Sequence, residues 1–177
     1  MNLRIEIGTK KHEKYAIIIA SMIERAAKKK GTTLALRKPD YILDKITKGK
    51  AIIALDHNIV VGFCYFENWE NNKFISHSGL IVNEKYQGKG VSKEIKKEIF
   101  NLSIKKFPKA KIFGLTTSKA VMNINSKLGY KNVSYNYLTN DKDFWKGCES
   151  CSNYSILVNS KQEQCKCTGM LIDPLKL

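Results

Sequence analysis

The stretch Val82-Asn83-Glu84-Lys85-Tyr86-Gln87-Gly88-Lys89-Gly90-Val91-Ser92-Lys93 concentrates the residues best suited to chemistry in this chain. It ends an apolar strand in a glycine-rich turn and opens an amphipathic helix. Gly88 and Gly90 let the backbone pass close to a ligand, the first amides of the helix lack intrahelical partners, and the helix dipole adds partial positive charge. Lys89 and Lys93 add full charges, so the turn reads as a cradle for phosphate oxygens. Further on lie Cys148-x-x-Cys151 and Cys165-x-Cys167. Four thiolates so spaced suit a structural zinc ion, because C-x-x-C is a common half-site and alternate strand residues send Cys165 and Cys167 to one face. Ordinary buried thiols, or redox switching through Cys148 and Cys151, are the competing readings. Cys64, alone on a strand, reads as core.

These groups must be positioned by elements that the periodicity predicts. Leu3 to Gly8 alternates as a first strand. Tyr15, Ile18, Ile19, Met22, Ile23 and Ala26 recur at helical spacing, and Lys28-Lys29-Lys30-Gly31 resembles a cationic last turn with its C-terminal glycine. A short helix is expected over Asp40 to Lys48. Three strands follow, Ala51 to Asp56, Ile59 to Glu67 and Phe74 to Val82, with tight polar turns at His57-Asn58 and Asn71-Asn72. Val91, Ile95, Ile99 and Leu102 mark the buried stripe of the helix after the glycine turn, which ends before Pro108. Lys111 to Thr117 is read as a strand and Lys119 to Leu128 as a helix capped by Gly129. Asn132 to Leu138 is expected to be extended, and a last strand lies near Lys166 to Asp173.

This order, with the Gln87-x-x-Gly90-x-Ser92 loop and the segment from Ser118 to Tyr130 ending Lys127-Leu128-Gly129-Tyr130, resembles the GNAT superfamily of N-acyltransferases. The loop is similar to the family's Q/R-x-x-G-x-G/A pyrophosphate loop, with Ser92 as a small-residue departure. The resemblance covers about three quarters of the chain in order of elements. It implies an α+β fold in three α/β/α layers, with a mixed, mostly antiparallel sheet splayed between its fourth and fifth strands. Residues 1–177 would form one such domain, with 139–164 a cysteine-containing insertion in the final hairpin.

The resemblance implies acetyl-CoA or another acyl-CoA as donor, lying where the two strands part. Its pyrophosphate would rest on Gln87, Gly88, Lys89, Gly90, Val91, Ser92 and Lys93, and its thioester beside the amides of Leu80, Ile81 and Val82. Ser118 and Asn123, at the start and middle of the next helix, would complete the cofactor contacts. An amide aimed at the thioester oxygen stabilises the charge that grows there as an amine attacks. Family members often place a tyrosine acid where this chain has Asn125, which cannot give up a proton; Tyr130, Tyr135 and Tyr137 are the substitutes in reach. His77, on the fourth strand, is the candidate base, because imidazole titrates near neutrality. Ser76 and Ser78 face the other way, and should they line the cleft, water leading to Glu67 or Glu70 becomes the proton path.

Composition bounds the rest. The 177 residues, 43% hydrophobic, suit one substantial core. No apolar run reaches the roughly 18 residues that span a bilayer. Five cysteines, an odd number, with no signal-peptide layout, suggest a reduced, cytoplasmic protein, monomer or homodimer. The net charge of +15 is carried mostly by scattered lysines with few arginines, a pattern that disfavours a nucleic-acid face and suits anionic ligands. On this reading the acceptor is a small acidic amine such as glutamate, its carboxylate met by Arg37 and Lys38. A non-catalytic acyl-CoA sensor and a nucleic-acid-associated binding module are the alternatives.

Overall fold

Strictly alternating or continuous apolar runs build the sheet, and amphipathic helices cover it. In this computed structural model, which describes residues 2–29 and 33–176, the strands are β1 (Leu3–Ile7), β2 (Ala51–Asp56), β3 (Ile59–Trp69), β4 (Phe74–Val82), β5 (Lys111–Thr116), β6 (Lys131–Val133) and β7 (Thr168–Ile172). They form one sheet in the order β1-β2-β3-β4-β5-β7-β6, antiparallel throughout except for the parallel pair β4–β5. The helices are α1 (Ala16–Ala27), α2 (Pro39–Thr47), α3 (Val91–Lys106), α4 (Lys119–Lys127), α5 (Lys142–Lys146) and α6 (Tyr154–Asn159). The α+β architecture expected from the sequence is therefore present. Lys30 and Gly31 of the expected cationic cap lie outside the described residues.

Alternation along β2 and β3 sorts the core into two layers. Ile53, Leu55, Phe63 and Tyr65 pack under α1 and α2, whereas Ile52, Ala54, Cys64 and Phe66 pack under α3. A third cluster, built on Phe113, Tyr135, Trp145 and Leu157, joins β5 to the segment between β6 and β7. That segment holds α5 and α6. The extended stretch expected from Asn132 to Leu138 is corrected here: the strand ends at Val133 and a 3-10 turn covers Tyr135–Tyr137. Turning the chain there buries Tyr135 against Trp145 and lets its hydroxyl donate to the Cys167 carbonyl at 2.6 Å.

Two irregularities open the sheet. The β4–β5 ladder runs through Phe74↔Lys111, Ile75↔Ile112 and Ser76↔Phe113 and then stops, so the remainders of both strands diverge. In the β3–β4 ladder, Phe63 faces Ile81 while Tyr65 faces Ser78, which leaves an extra β4 residue at Gly79-Leu80. Gly79 has φ +65, and a Cβ there would meet the Tyr65 ring at 2.6 Å, so this bulge demands glycine twice over. No helix among the described residues is long and apolar enough to cross a membrane.

Candidate active site

The glycine turn takes the geometry of an open cradle. Asn83 caps a 3-10 turn over Glu84–Tyr86 by accepting from the Lys85 amide at 3.1 Å, and the Gln87 side chain donates to the Val82 carbonyl at 3.2 Å. Gly88 and Gly90 sit at φ +75 and +83 with nothing within 4 Å of a built Cβ. Gly90 is the N-cap of α3. Among the described residues, the amides of Gly88, Lys89, Gly90, Val91 and Ser92 donate to no protein acceptor. Lys89 and Lys93 are exposed beside them, and Val91 turns its side chain into the core.

From this cradle β4 leads down into the gap. Asn83 donates to Val61 of β3 at 2.8 Å, so alternation turns the Val82 amide to the opposite edge, toward the parted β5. Leu80 lies in the bulge, and Leu80, Ile81 and Val82 are all half-buried along the opening. Across it, Ser118 caps α4 by accepting from Val121 N at 3.4 Å, and Asn123 is exposed on that helix. The structure thus brings loop, strand edge and α4 around one opening.

At the bottom of the gap lies a cavity of about 850 Å³, between the α1–α2 connection, the end of β3, the middle of β4 and the α5–α6 segment. Ser76, Ser78, Gly79, Gly114 and Leu115 connect it to the parted strands. Tyr41, Tyr65, Trp69, Phe144, Tyr135 and Tyr154 supply its aromatic walls. Sequence reasoning did not identify these walls; only their aromatic type was visible, and core aromatics look the same.

The proton-transfer candidates are placed otherwise than the sequence reading expected. His77 is buried and turned toward α3. Ser103 spends its own hydrogen on the Ile99 carbonyl at 2.7 Å, so its Oγ must accept from His77 Nε2–H at 2.9 Å. That leaves Nδ1 with the lone pair, and Tyr130 OH at 3.1 Å and Lys96 Nζ at 3.2 Å both aim at it. Burial and the Lys96 charge hold the imidazole well below its ordinary pKa, so its one basic atom is neither free nor easily protonated.

Glu67 is also engaged. Burial raises its pKa, but the Lys45 and Lys50 ammonium groups that bind its two oxygens outweigh this and keep it below the usual range. Glu70 accepts from Thr139 Oγ1 and the Asn140 amide, both at 2.7 Å, and fastens the start of the α5–α6 segment. Asn125 is buried against Met170, with its Nδ2 3.6 Å from the sulfur and its Oδ1 without a partner among the described residues. Of the substitute tyrosines, Tyr130 is committed to His77 and Tyr135 to Cys167 O, while Tyr137 is exposed.

The zinc expectation finds no support in the structure. Among the described residues no group of three or more His, Cys, Asp or Glu side chains is placed to hold a metal ion. Cys148, Cys151, Cys165 and Cys167 instead line the cavity wall. Burial, with the neighbouring cysteines of the set adding to it, pushes the Cys148 and Cys167 thiols up to about 11. Cys64 is buried in the core as expected.

No family model and no curated protein sequence matches the chain. Solved structures do. N-acetylglutamate synthase from Neisseria gonorrhoeae, complexed with coenzyme A and N-acetyl-glutamate, superposes at a TM-score of 0.70 with 14% identity; the match covers 97% of this chain but only 35% of that enzyme. The putative acetyltransferase yncA from Salmonella typhimurium, with acetyl-CoA, gives 0.67 at 12% identity over 98% and 95% of the two chains. Diaminobutyrate acetyltransferase EctA from Paenibacillus lautus, with 2,4-diaminobutyric acid and coenzyme A, gives 0.65 at 10% identity over 97% and 95%. At these identities the likeness is one of fold: this chain has the GNAT N-acetyltransferase fold.

Proposed function

We propose that the chain transfers an acyl group from an acyl-CoA to a primary amine by direct attack. The observation that carries this reading is the run of unpaired amides from Gly88 to Ser92, opening at the top of the gap where β4 leaves β5. The diphosphate would rest on those amides, the pantetheine arm would follow the β4 edge at Val82, and the thioester would reach the bulge above the cavity. The amine nitrogen then attacks the thioester carbon from the cavity side, a strand amide stabilises the oxyanion, and the carbon–sulfur bond breaks as the thiolate leaves.

Proton transfer on this reading falls to solvent. With His77 and Glu67 committed, the attacking nitrogen arrives already neutral, and Asn125 leaves the departing thiolate without a protein acid at the family's usual place. The same commitments favour a second reading, an acyl-CoA sensor without turnover. The positive net charge and the amino-acid ligands of two neighbours speak for an acidic acceptor such as glutamate.

Two measurements test the proposal. Acetyl-CoA should stabilise the folded protein saturably at micromolar concentration, and thiol should be released when an amine is added. Replacing Gly90 by Val, which fills the cradle at a positive φ, should weaken CoA binding by about tenfold or more, since left-handed backbone costs a branched residue roughly 1–2 kcal/mol before any clash with ligand. Binding without thiol release would leave the sensor; no binding at all would refute both.

A further inference from the structure

Arg37 is a cation in the cavity wall with no anion to face. Its Nε donates to Tyr65 OH at 2.9 Å, its Nη1 donates to the carbonyls of Leu36 at 2.8 Å and Gly147 at 3.2 Å, and its guanidinium carbon lies 5.4 Å from the centroid of the Tyr41 ring. These partners are neutral oxygens and a ring. Among the described residues no carboxylate pairs with Arg37, and the hydrogens on its Nη2 go to no acceptor. A half-buried guanidinium so placed has lost part of its water without gaining a counter-charge, and its plane is already fixed by the neutral contacts. What results is a preoriented donor for one incoming carboxylate.

The position of Arg37 says which end of a guest it holds. Through Tyr65 it is joined to the bulge: Tyr65 faces Ser78 in the β3–β4 ladder, and its ring lies so close to Gly79 that a Cβ there would meet it at 2.6 Å. One tyrosine side chain therefore separates the guanidinium from the backbone that the thioester would reach. An α-amino acid carries its amine on the carbon next to its carboxylate, so a carboxylate held by Arg37 keeps the nitrogen close to that bulge.

The rest of the guest meets rings. Tyr41, Trp69, Phe144 and Tyr154 line the same cavity, whose volume of about 850 Å³ leaves room for a large side chain beside the acyl end of the cofactor. An aromatic body gains area burial and edge-to-face contacts against such walls. A charged side chain gains neither, and the nearby cations Lys45 and Lys50 are already bound to Glu67.

We infer that the acceptor is an α-amino acid with an aromatic or large apolar side chain, and that Arg37 anchors its carboxylate. This rests on the acyltransferase reading and specifies its second substrate; the products are the N-acyl amino acid and the free CoA thiol.

The test offers the full chain acetyl-CoA with phenylalanine, phenylalanine amide, alanine or glutamate. Thiol release gives kcat/KM, and quenching of tryptophan fluorescence, with Trp69 in the wall, gives binding even without turnover. Phenylalanine is expected to exceed its amide by about tenfold or more in both, the worth of a charge-assisted hydrogen bond, although its more basic amine is less often neutral. Through its ring it should exceed alanine and glutamate by about tenfold as well. In Arg37→Gln the acid-to-amide ratio should shrink to about threefold or less, whereas a merely structural arginine would lower both substrates together and leave that ratio intact. Equal or better use of the amide, an unchanged ratio in the variant, or faster turnover of alanine or glutamate would overturn the inference and leave the acyltransferase standing. Binding with the expected preferences but no thiol release from any amine would uphold the anchor while removing the acyltransferase reading. Failure of phenylalanine both to bind and to react would also overturn the inference.

Discussion

At the residue scale, the buried set His77, Lys96, Tyr130 and Ser103 illustrates what a sequence conceals. A histidine on the strand beside a catalytic gap reads as a base, yet its role here turns on where a serine hydroxyl a helix away sends its hydrogen. Among the described residues Lys96 is buried with no carboxylate partner; its ammonium hydrogen-bonds the neutral His77 and lies 5.2 Å from the centroid of the Tyr130 ring. Burial brings its pKa down to about 8. Between about 8 and the ordinary 10.5, the unfolded chain holds a proton that the folded chain has released, so stability should rise with pH across that window and level off above it. Lys96→Met should remove this slope and add about 1–3 kcal/mol at pH 7, read by denaturant unfolding at pH 7 and 10.5. A variant no more stable than wild type at pH 7 would mean that the charge is compensated.

At the element scale, most of the frame was legible because patterns of 2 and 3.6 residues persist through β2, β3, β4 and α3. The failures occurred where tertiary contacts override local pattern. Tyr135 sits in an alternating run, but burial against Trp145 draws the chain into a turn. The bulge left one sequence trace, a glycine inside an otherwise apolar strand, whose meaning depends on the Tyr65 ring of the neighbouring strand. Gly79→Ala should therefore destabilise by about 2 kcal/mol or more, through left-handed strain plus overlap with that ring. Because the bulge re-aims the β4 edge, the same variant should lose thiol-release activity even at temperatures where it remains folded. Circular dichroism with an activity assay checks both, and unchanged melting would mean that the strand tolerates a side chain there.

At the scale of the whole molecule, charge acts in two separate places. The excess of 31 basic over 16 acidic residues sets a positive field outside, where the cradle lies exposed between Lys89 and Lys93. Inside the cavity Glu67 is paired with Lys45 and Lys50, whereas Arg37 is held by the Tyr65 hydroxyl and two backbone carbonyls, so these buried charges are screened by salt far less than the exposed ones. Ionic strength separates the two. Screening shortens the reach of exposed charges to about 10 Å at 0.1 M and about 3 Å at 1 M. The Kd for acetyl-CoA should therefore rise by roughly tenfold between about 0.05 and 0.5 M salt, while the KM for phenylalanine at saturating acetyl-CoA should change by less than about twofold. Titration calorimetry and thiol-release kinetics across that range measure each quantity independently. Should the two constants climb together, the acceptor is being held by exposed charge after all, and the buried groups around Arg37 and Glu67 do not govern what the cavity admits.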